Sequence, residues 1–88
     1  MKRNIVFVKR SWDDYLYWQT QDRKKLRKIN QLLQDIDRNG LNSIGKPELL
    51  YGDLVGWWSC RIDEANRLVF RLKDGIIEIA QCRGHYND

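Results

Sequence analysis

Three residues carry the chain's potential for acid–base chemistry: Glu48, Arg67 and His85. His85 is the only histidine, set in Cys82-Arg83-Gly84-His85-Tyr86. An imidazole is a side chain that can both give and take a proton in acid–base catalysis. Glu48 follows Gly45-Lys46-Pro47, a stretch in which proline fixes its own φ and biases Lys46 toward extended backbone. That restriction holds a carboxylate in place without a helix or strand around it. Metal-free RNA cleavage needs a base for the 2′-OH proton, an acid for the departing 5′-oxygen and a cation for the charge building on phosphorus. Carboxylate, imidazole and guanidinium fill those roles. Spacing alone does not distinguish this from three polar residues meeting at one sheet end by coincidence.

The elements that must position them are legible in the hydrophobic pattern. Ile5-Val6-Phe7-Val8 reads as a strand covered on both faces. Ser11 is expected to cap a first helix, with Trp12, Tyr15, Leu16 and Gln19 on its inner stripe and the aromatics as core. Asp22 is expected to cap a second helix, with Leu26, Ile29, Leu32, Leu33 and Ile36 buried and Asn39-Gly40 closing it. Arg23, Lys24, Lys25, Arg27 and Lys28 crowd its first half, either as a solvated face or as a surface that tracks phosphates. Leu41 to Gly56 then reads as a long connector, and such loops in compact domains usually have a function.

From Trp57 the period changes to two, giving three strands in a meander. Asp74-Gly75 suits a two-residue hairpin turn and sets Arg71 opposite Glu78 and Arg67 opposite Cys82. A three-residue loop, Glu64-Ala65-Asn66, sets Ile62 opposite Leu68 and keeps the faces unmixed. One face then carries Trp58, Cys60, Ile62, Leu68, Phe70, Leu72, Ile77 and Ile79 for the helices to cover. The other carries Trp57, Ser59, Arg61, Arg67, Val69, Arg71 and Ala80, a set suited to phosphates and unpaired bases. Cys60 and Cys82 fall on opposite faces, which disfavours a disulfide. The tail leaves the sheet where Arg67 begins its strand, and the Glu48 loop is placed to fold over the same face.

Composition bounds the rest. Eighty-eight residues with 42% hydrophobic content make one economical domain, residues 1–88. Sixteen basic against twelve acidic residues give a net charge of +4, which suits a polyanionic partner without requiring one. No apolar run approaches a membrane span, and the start is too short in apolar residues for a signal peptide, so a cytoplasmic protein is expected. Two cysteines without metal spacing and one histidine argue against a zinc site, and no cofactor is expected.

The chain resembles the YoeB-type toxins of the RelE/ParE superfamily over nearly its whole length. The likeness is carried by Ser11-Trp12-Asp13-Asp14-Tyr15-Leu16-Tyr17-Trp18-Gln19, Gly45-Lys46-Pro47-Glu48, Gly56-Trp57-Trp58-Ser59 with Arg61-Ile62, Arg67-Leu68-Val69, and Cys82-Arg83 with His85-Tyr86. The resemblance implies an α+β, microbial-ribonuclease-like (RelE-like) fold, β-α-α-β-β-β, with two N-terminal helices on a mainly antiparallel sheet. It implies a toxin of a type II toxin–antitoxin system that cuts mRNA in the ribosomal A site. Glu48 matches the general base, Arg67 the phosphate-stabilising residue, His85 the general acid and Tyr86 the C-terminal aromatic that positions RNA. Arg61, Lys46, Trp57, Arg71, Arg83, Lys24 and Lys28 complete the candidate RNA- and ribosome-contacting set. A YefM-like antitoxin is the implied partner, with DNA contacted only through that complex and a homodimer left open. Leu49, Tyr51 and Cys60 depart from the family pattern, standing where relatives carry proline or basic residues.

Two other classes share the fold. A ParE-like toxin would bind a DNA topoisomerase and have no use for an acid–base pair. A catalytically silent binding protein would be favoured by a Glu48 remote from His85.

Overall fold

The computed structural model describes residues 1–85; the candidate aromatic Tyr86 lies outside the described residues. Strand β1 (Asn4–Phe7) leads into helices α1 (Lys9–Gln21) and α2 (Arg23–Asn39). Four strands follow, β2 (Glu48–Leu49), β3 (Trp58–Arg61), β4 (Arg67–Lys73) and β5 (Ile76–Gln81). They form one sheet in the order β1-β5-β4-β3-β2, antiparallel except where β1 runs parallel to β5. The expected two helices on a mainly antiparallel sheet are present. The connector adds one element to the expected order, the short edge strand β2, so Glu48 sits in a strand after all. Glu48 pairs with Ser59 and Leu49 with Trp58. Lys46 is not extended either: its φ is +51°, a left-handed turn whose N–H donates to the Ser43 carbonyl at 3.1 Å.

Helix α2 follows its sequence closely. Asp22 caps it by accepting from the Lys24 N–H at 3.0 Å, and Ile29, Leu32, Leu33 and Ile36 are buried. Gly40 ends it at φ +59°, a conformation that favours a residue without Cβ. These side chains meet Trp18 of α1 and Cys60, Leu68, Phe70, Ile77 and Ile79 of the sheet in one core. Asp37, near the end of α2, accepts from the backbone N–H groups of Lys2 and Arg3 at 3.0 and 2.6 Å, tying the N-terminus to the helix. Burial pushes the Asp37 carboxyl up, but those two hydrogen bonds together with the charges of the N-terminus and Arg3 outweigh it and hold the group below its ordinary value.

Helix α1 departs from the expected pattern. It starts at Lys9, and Ser11 is not its cap but a buried residue within it. The Ser11 hydroxyl lies within hydrogen-bond distance of two carbonyls, Val8 at 3.0 Å and Ile79 of β5 at 2.6 Å. The inner stripe is therefore Ser11, Asp14, Tyr15 and Trp18, one position off the apolar reading, while Trp12, Leu16 and Gln19 face outward. Trp12 covers the edge of the core instead, stacking on Tyr15 and meeting Phe7 edge-on. Polar side chains on the buried stripe displaced the apolar ones because β5 presents polar backbone there.

Two registers also differ. Cys60, not Ile62, faces Leu68, and Arg61 faces Arg67. The turn is built one residue earlier, on Asp63, whose carboxylate accepts from the N–H groups of Ala65 and Asn66, both at 2.8 Å. A shift of the turn by one residue moves pairing by two, so the faces survive. Between β4 and β5 the hairpin at Asp74-Gly75 does set Arg71 opposite Glu78. Beyond Phe70–Ile79, however, the register slips and Val69 faces Gln81. The extra residue, Ala80, makes a β-bulge that turns the rest of β5 by one face. Cys82 consequently lies in the core with Cys60, both fully buried free thiols, and Arg67 is not opposite Cys82. Burial pushes both thiols up to about 12.

Candidate active site

The site grows from the start of β4, where Arg67 emerges on the sheet face away from the helices. On that face Glu48, Ser59, Val69 and Gln81 form a row across four strands, and Arg61 and Arg67 sit side by side in the next. Glu48 Oε1 lies 3.4 Å from Arg67 Nη1. The pair is lopsided: 15% of the Arg67 side chain is exposed against 71% of Glu48. The guanidinium is thus held by the protein while the carboxylate reaches over it from solvent. Arg61 is the register partner of Arg67, so two cationic residues stand opposite each other on adjacent strands, an arrangement that costs about a few tenths of a kcal/mol. An anion between them would reverse the sign.

The tail is held against the same point. Arg67 donates its backbone N–H to the Gly84 carbonyl at 2.9 Å, and the Gly84 N–H donates to Asn66 Oδ1 at 2.7 Å. Gly84 has φ +78°, so the turn that presents His85 needs a residue without Cβ. Glu48 and the backbone carrying His85 therefore both meet Arg67, and His85 itself is exposed.

What aims the tail is the bulge, and α1 grips it at several points. Asp14 Oδ2 accepts from the Cys82 N–H at 3.0 Å, and Trp18 donates its indole N–H to the Cys82 carbonyl at 2.8 Å. Ser11 bonds Ile79 before the bulge. Arg10 donates from Nε to Asp14 and from Nη2 to the Arg83 carbonyl at 2.8 Å, and Gln81 donates to the carbonyls of Arg83 and Gly84. None of Arg10, Ser11, Asp14, Trp18, Asn66 or Gln81 stood out as a site residue in the sequence. Asp14 was the available signal: an acid at i+3 from Ser11 and i−4 from Trp18 lies on a face that must be buried.

The remaining candidates scatter more widely. Arg71 donates to Glu78 at 2.7 Å and lies 4.6 Å above the Trp57 ring, so each occupies the other. Arg83 lies 3.5 Å over the ring of Tyr17 on α1. Lys46 is exposed in the turn before Glu48. Lys24 and Lys28 belong to the helix layer behind the sheet, where Lys28 lines a groove of about 310 Å³ with Asp35 and Gly45. On the arginine face Ser59, Val69 and Gln81 are buried, and the connector residues Leu50 to Leu54 share a cleft with Gln81 and His85. Among the described residues no group of acids, cysteines or histidine is arranged to hold a metal ion.

Two helices packed on a five-stranded mixed sheet make an α+β, RelE-like fold. Residues 7–86 match the family described as the YoeB-like toxin of bacterial type II toxin–antitoxin systems. The chain is 46% identical to Toxin YoeB of Escherichia coli over 82 residues, 93% of this chain and 98% of the relative. The YoeB dimer from Staphylococcus aureus superposes with a TM-score of 0.90 at 47% identity, covering 98% of this chain and 100% of the other. The YoeB–YefM complex from the same organism gives 0.89 at 46%, with the same coverage. This chain belongs to the YoeB family of type II toxins.

Proposed function

We propose that this toxin is a ribosome-dependent endoribonuclease that cuts mRNA in the A site without a metal. The observation that carries the reading is the convergence on Arg67: Glu48 at 3.4 Å on one side, and on the other Gly84, whose carbonyl accepts from the Arg67 N–H at 2.9 Å and which carries His85. Glu48 removes the proton of the 2′-OH, and that oxygen attacks phosphorus. The bond to the 5′-oxygen breaks as His85 protonates it, leaving a 2′,3′-cyclic phosphate upstream and a free 5′-OH downstream. Arg67 holds the charge on the non-bridging oxygens, with Arg61 beside it. The Glu48–Arg67 separation is long for a charge-assisted bond, so an incoming phosphate can take over the guanidinium and release the base. Tyr86 is assigned to positioning the RNA, and Lys46, Trp57, Arg71, Arg83, Lys24 and Lys28 to wider contacts with RNA or ribosome.

A YefM-like antitoxin is the proposed restraint, through an acidic segment that covers the arginine face, with DNA reached only through that complex. A homodimer is proposed on the likeness to the solved dimer. One domain acting in the cytoplasm completes the reading. The deciding experiment maps mRNA 5′ ends on translating ribosomes with wild type and His85→Ala. The wild type cuts in the A-site codon; His85→Ala loses about 10²-fold or more in rate, the usual worth of a general acid, and keeps its unfolding midpoint. A folded His85→Ala chain that cuts normally refutes the mechanism. Inhibition of plasmid relaxation by a topoisomerase, with RNA left intact, would move the protein to the ParE class.

A further inference from the structure

We propose that the cleft between the Gly52–Leu54 turn and the tail binds the base of the nucleotide downstream of the cut, and that it is built for guanine. The inference rests on the chain being an RNA-cleaving toxin with His85 as the acid. The cleft measures about 800 Å³, within the range of pockets that take small ligands, and Arg10, Tyr51, Asp53, Leu54, Gln81 and His85 line it. Glu48 does not line it. This asymmetry gives a direction. The acid serves the 5′-oxygen of the downstream nucleotide and the base serves the 2′-OH of the upstream one. A cleft that contains His85 but not Glu48 lies on the downstream side.

Its chemistry suits a base and not a phosphate. Among the described residues the Asp53 carboxylate has no hydrogen-bond or ion-pair partner. An unpaired carboxylate repels phosphate, and Arg10, the cleft's cation, is engaged by Asp14 and the Arg83 carbonyl. Tyr51 is 79% exposed, a ring in the cleft wall with a face available for stacking, and Leu54 adds apolar surface. A carboxylate offers only acceptors. Guanine alone presents two adjacent donors, N1–H and the N2 amino group, on its Watson–Crick edge, whereas adenine, cytosine and uracil present one each. A stacked guanine hydrogen-bonded through both donors to Asp53 engages an exposed carboxylate that has no partner among the described residues.

Two measurements test this. On translating ribosomes, mRNAs differing only in the base after the cut are compared for wild type, Asp53→Asn and Tyr51→Ala. Wild type cuts before guanine at least about tenfold faster than before adenine, the discrimination expected of one bidentate contact, and Asp53→Asn collapses that ratio toward one. Tyr51→Ala slows cutting before all four bases and leaves the ratio. Separately, guanosine 5′-monophosphate is titrated into the 15N-labelled protein without ribosomes. It shifts the amides of Gly52 and Asp53 more than adenosine 5′-monophosphate does, and Asp53→Asn removes the difference. Cutting that ignores the downstream base overturns the guanine site while the nuclease reading stands. A wild type that cuts nothing overturns the nuclease reading, and the titration then decides the cleft alone: equal shifts with both nucleotides refute it.

Discussion

Asp14 should be worth more to this protein than its place on a helix suggests. The carboxylate is 5% exposed and accepts from the Cys82 N–H at 3.0 Å and from Arg10 Nε at 3.2 Å. Removing it in Asp14→Ala leaves the buried Cys82 N–H without an acceptor, a loss of about 1–3 kcal/mol. The ion pair adds less, because Arg10 is 56% exposed and solvent screens it, so about 0.5 kcal/mol is reasonable. The sum, about 1.5–3.5 kcal/mol, divided by a urea slope of about 1.5 kcal/mol per molar lowers the midpoint by roughly 1–2 M. Function should suffer further, since the same contact anchors the segment that brings Gly84, which carries His85, against the Arg67 backbone. Asp14→Asn keeps a carbonyl oxygen for Cys82 and loses only the charge, so most of the stability and the cutting activity should remain. The assay pairs urea unfolding with cleavage on translating ribosomes, and follows hydrogen exchange at Cys82 and Gly84. An Asp14→Ala chain with wild-type midpoint, exchange and activity would refute the claim that α1 holds the site through the bulge.

Three other outcomes follow from the structure. Gly84→Ala forces a side chain to adopt φ +78°, at a cost of about 1–2 kcal/mol, and should reduce cutting far more than it lowers the midpoint, because the strain falls on the turn that presents His85. Burial pushes the Asp63 carboxyl up, but Lys25, Asn66 and the Ala65 N–H outweigh it and hold it at about 2. Its contribution is therefore present above about pH 4 and lost as pH falls toward 2; screened by partial exposure it amounts to on the order of 1 kcal/mol, and Asp63→Asn should flatten the acid limb of a stability–pH curve by that amount. Cys60 and Cys82, pushed up to about 12 by burial, should resist a thiol reagent at pH 7.5 until the protein is unfolded, and a fast-reacting thiol in the folded chain would contradict their place in the core.

Much of this protein is determined by sequence because the relevant forces are local. The α2 stripe, its Asp22 cap and Gly40 stop, the alternation of β3 to β5 and the Asp74-Gly75 turn depend on periodicity and turn chemistry within a few residues, and they are observed. Residue type put forward a carboxylate, a cation and an imidazole, the family resemblance gave Glu48, Arg67 and His85 their roles as base, cation and acid, and a split of the sheet into an apolar and an arginine face placed Arg61 and Arg67 together. Tertiary structure decided how those groups are aimed. An extra residue at Ala80 buried Cys82 and turned the tail, a two-residue strand carried Glu48 to the sheet edge, and Ser11 and Asp14 faced inward because Ile79 of β5 and Cys82 just after it offer them backbone partners, each across 68 residues of sequence. No local pattern encodes a bulge or an edge pairing. The bulge is sustained by side chains of the distant helix α1, with Ser11 bonded at Ile79 and Asp14 and Trp18 at Cys82.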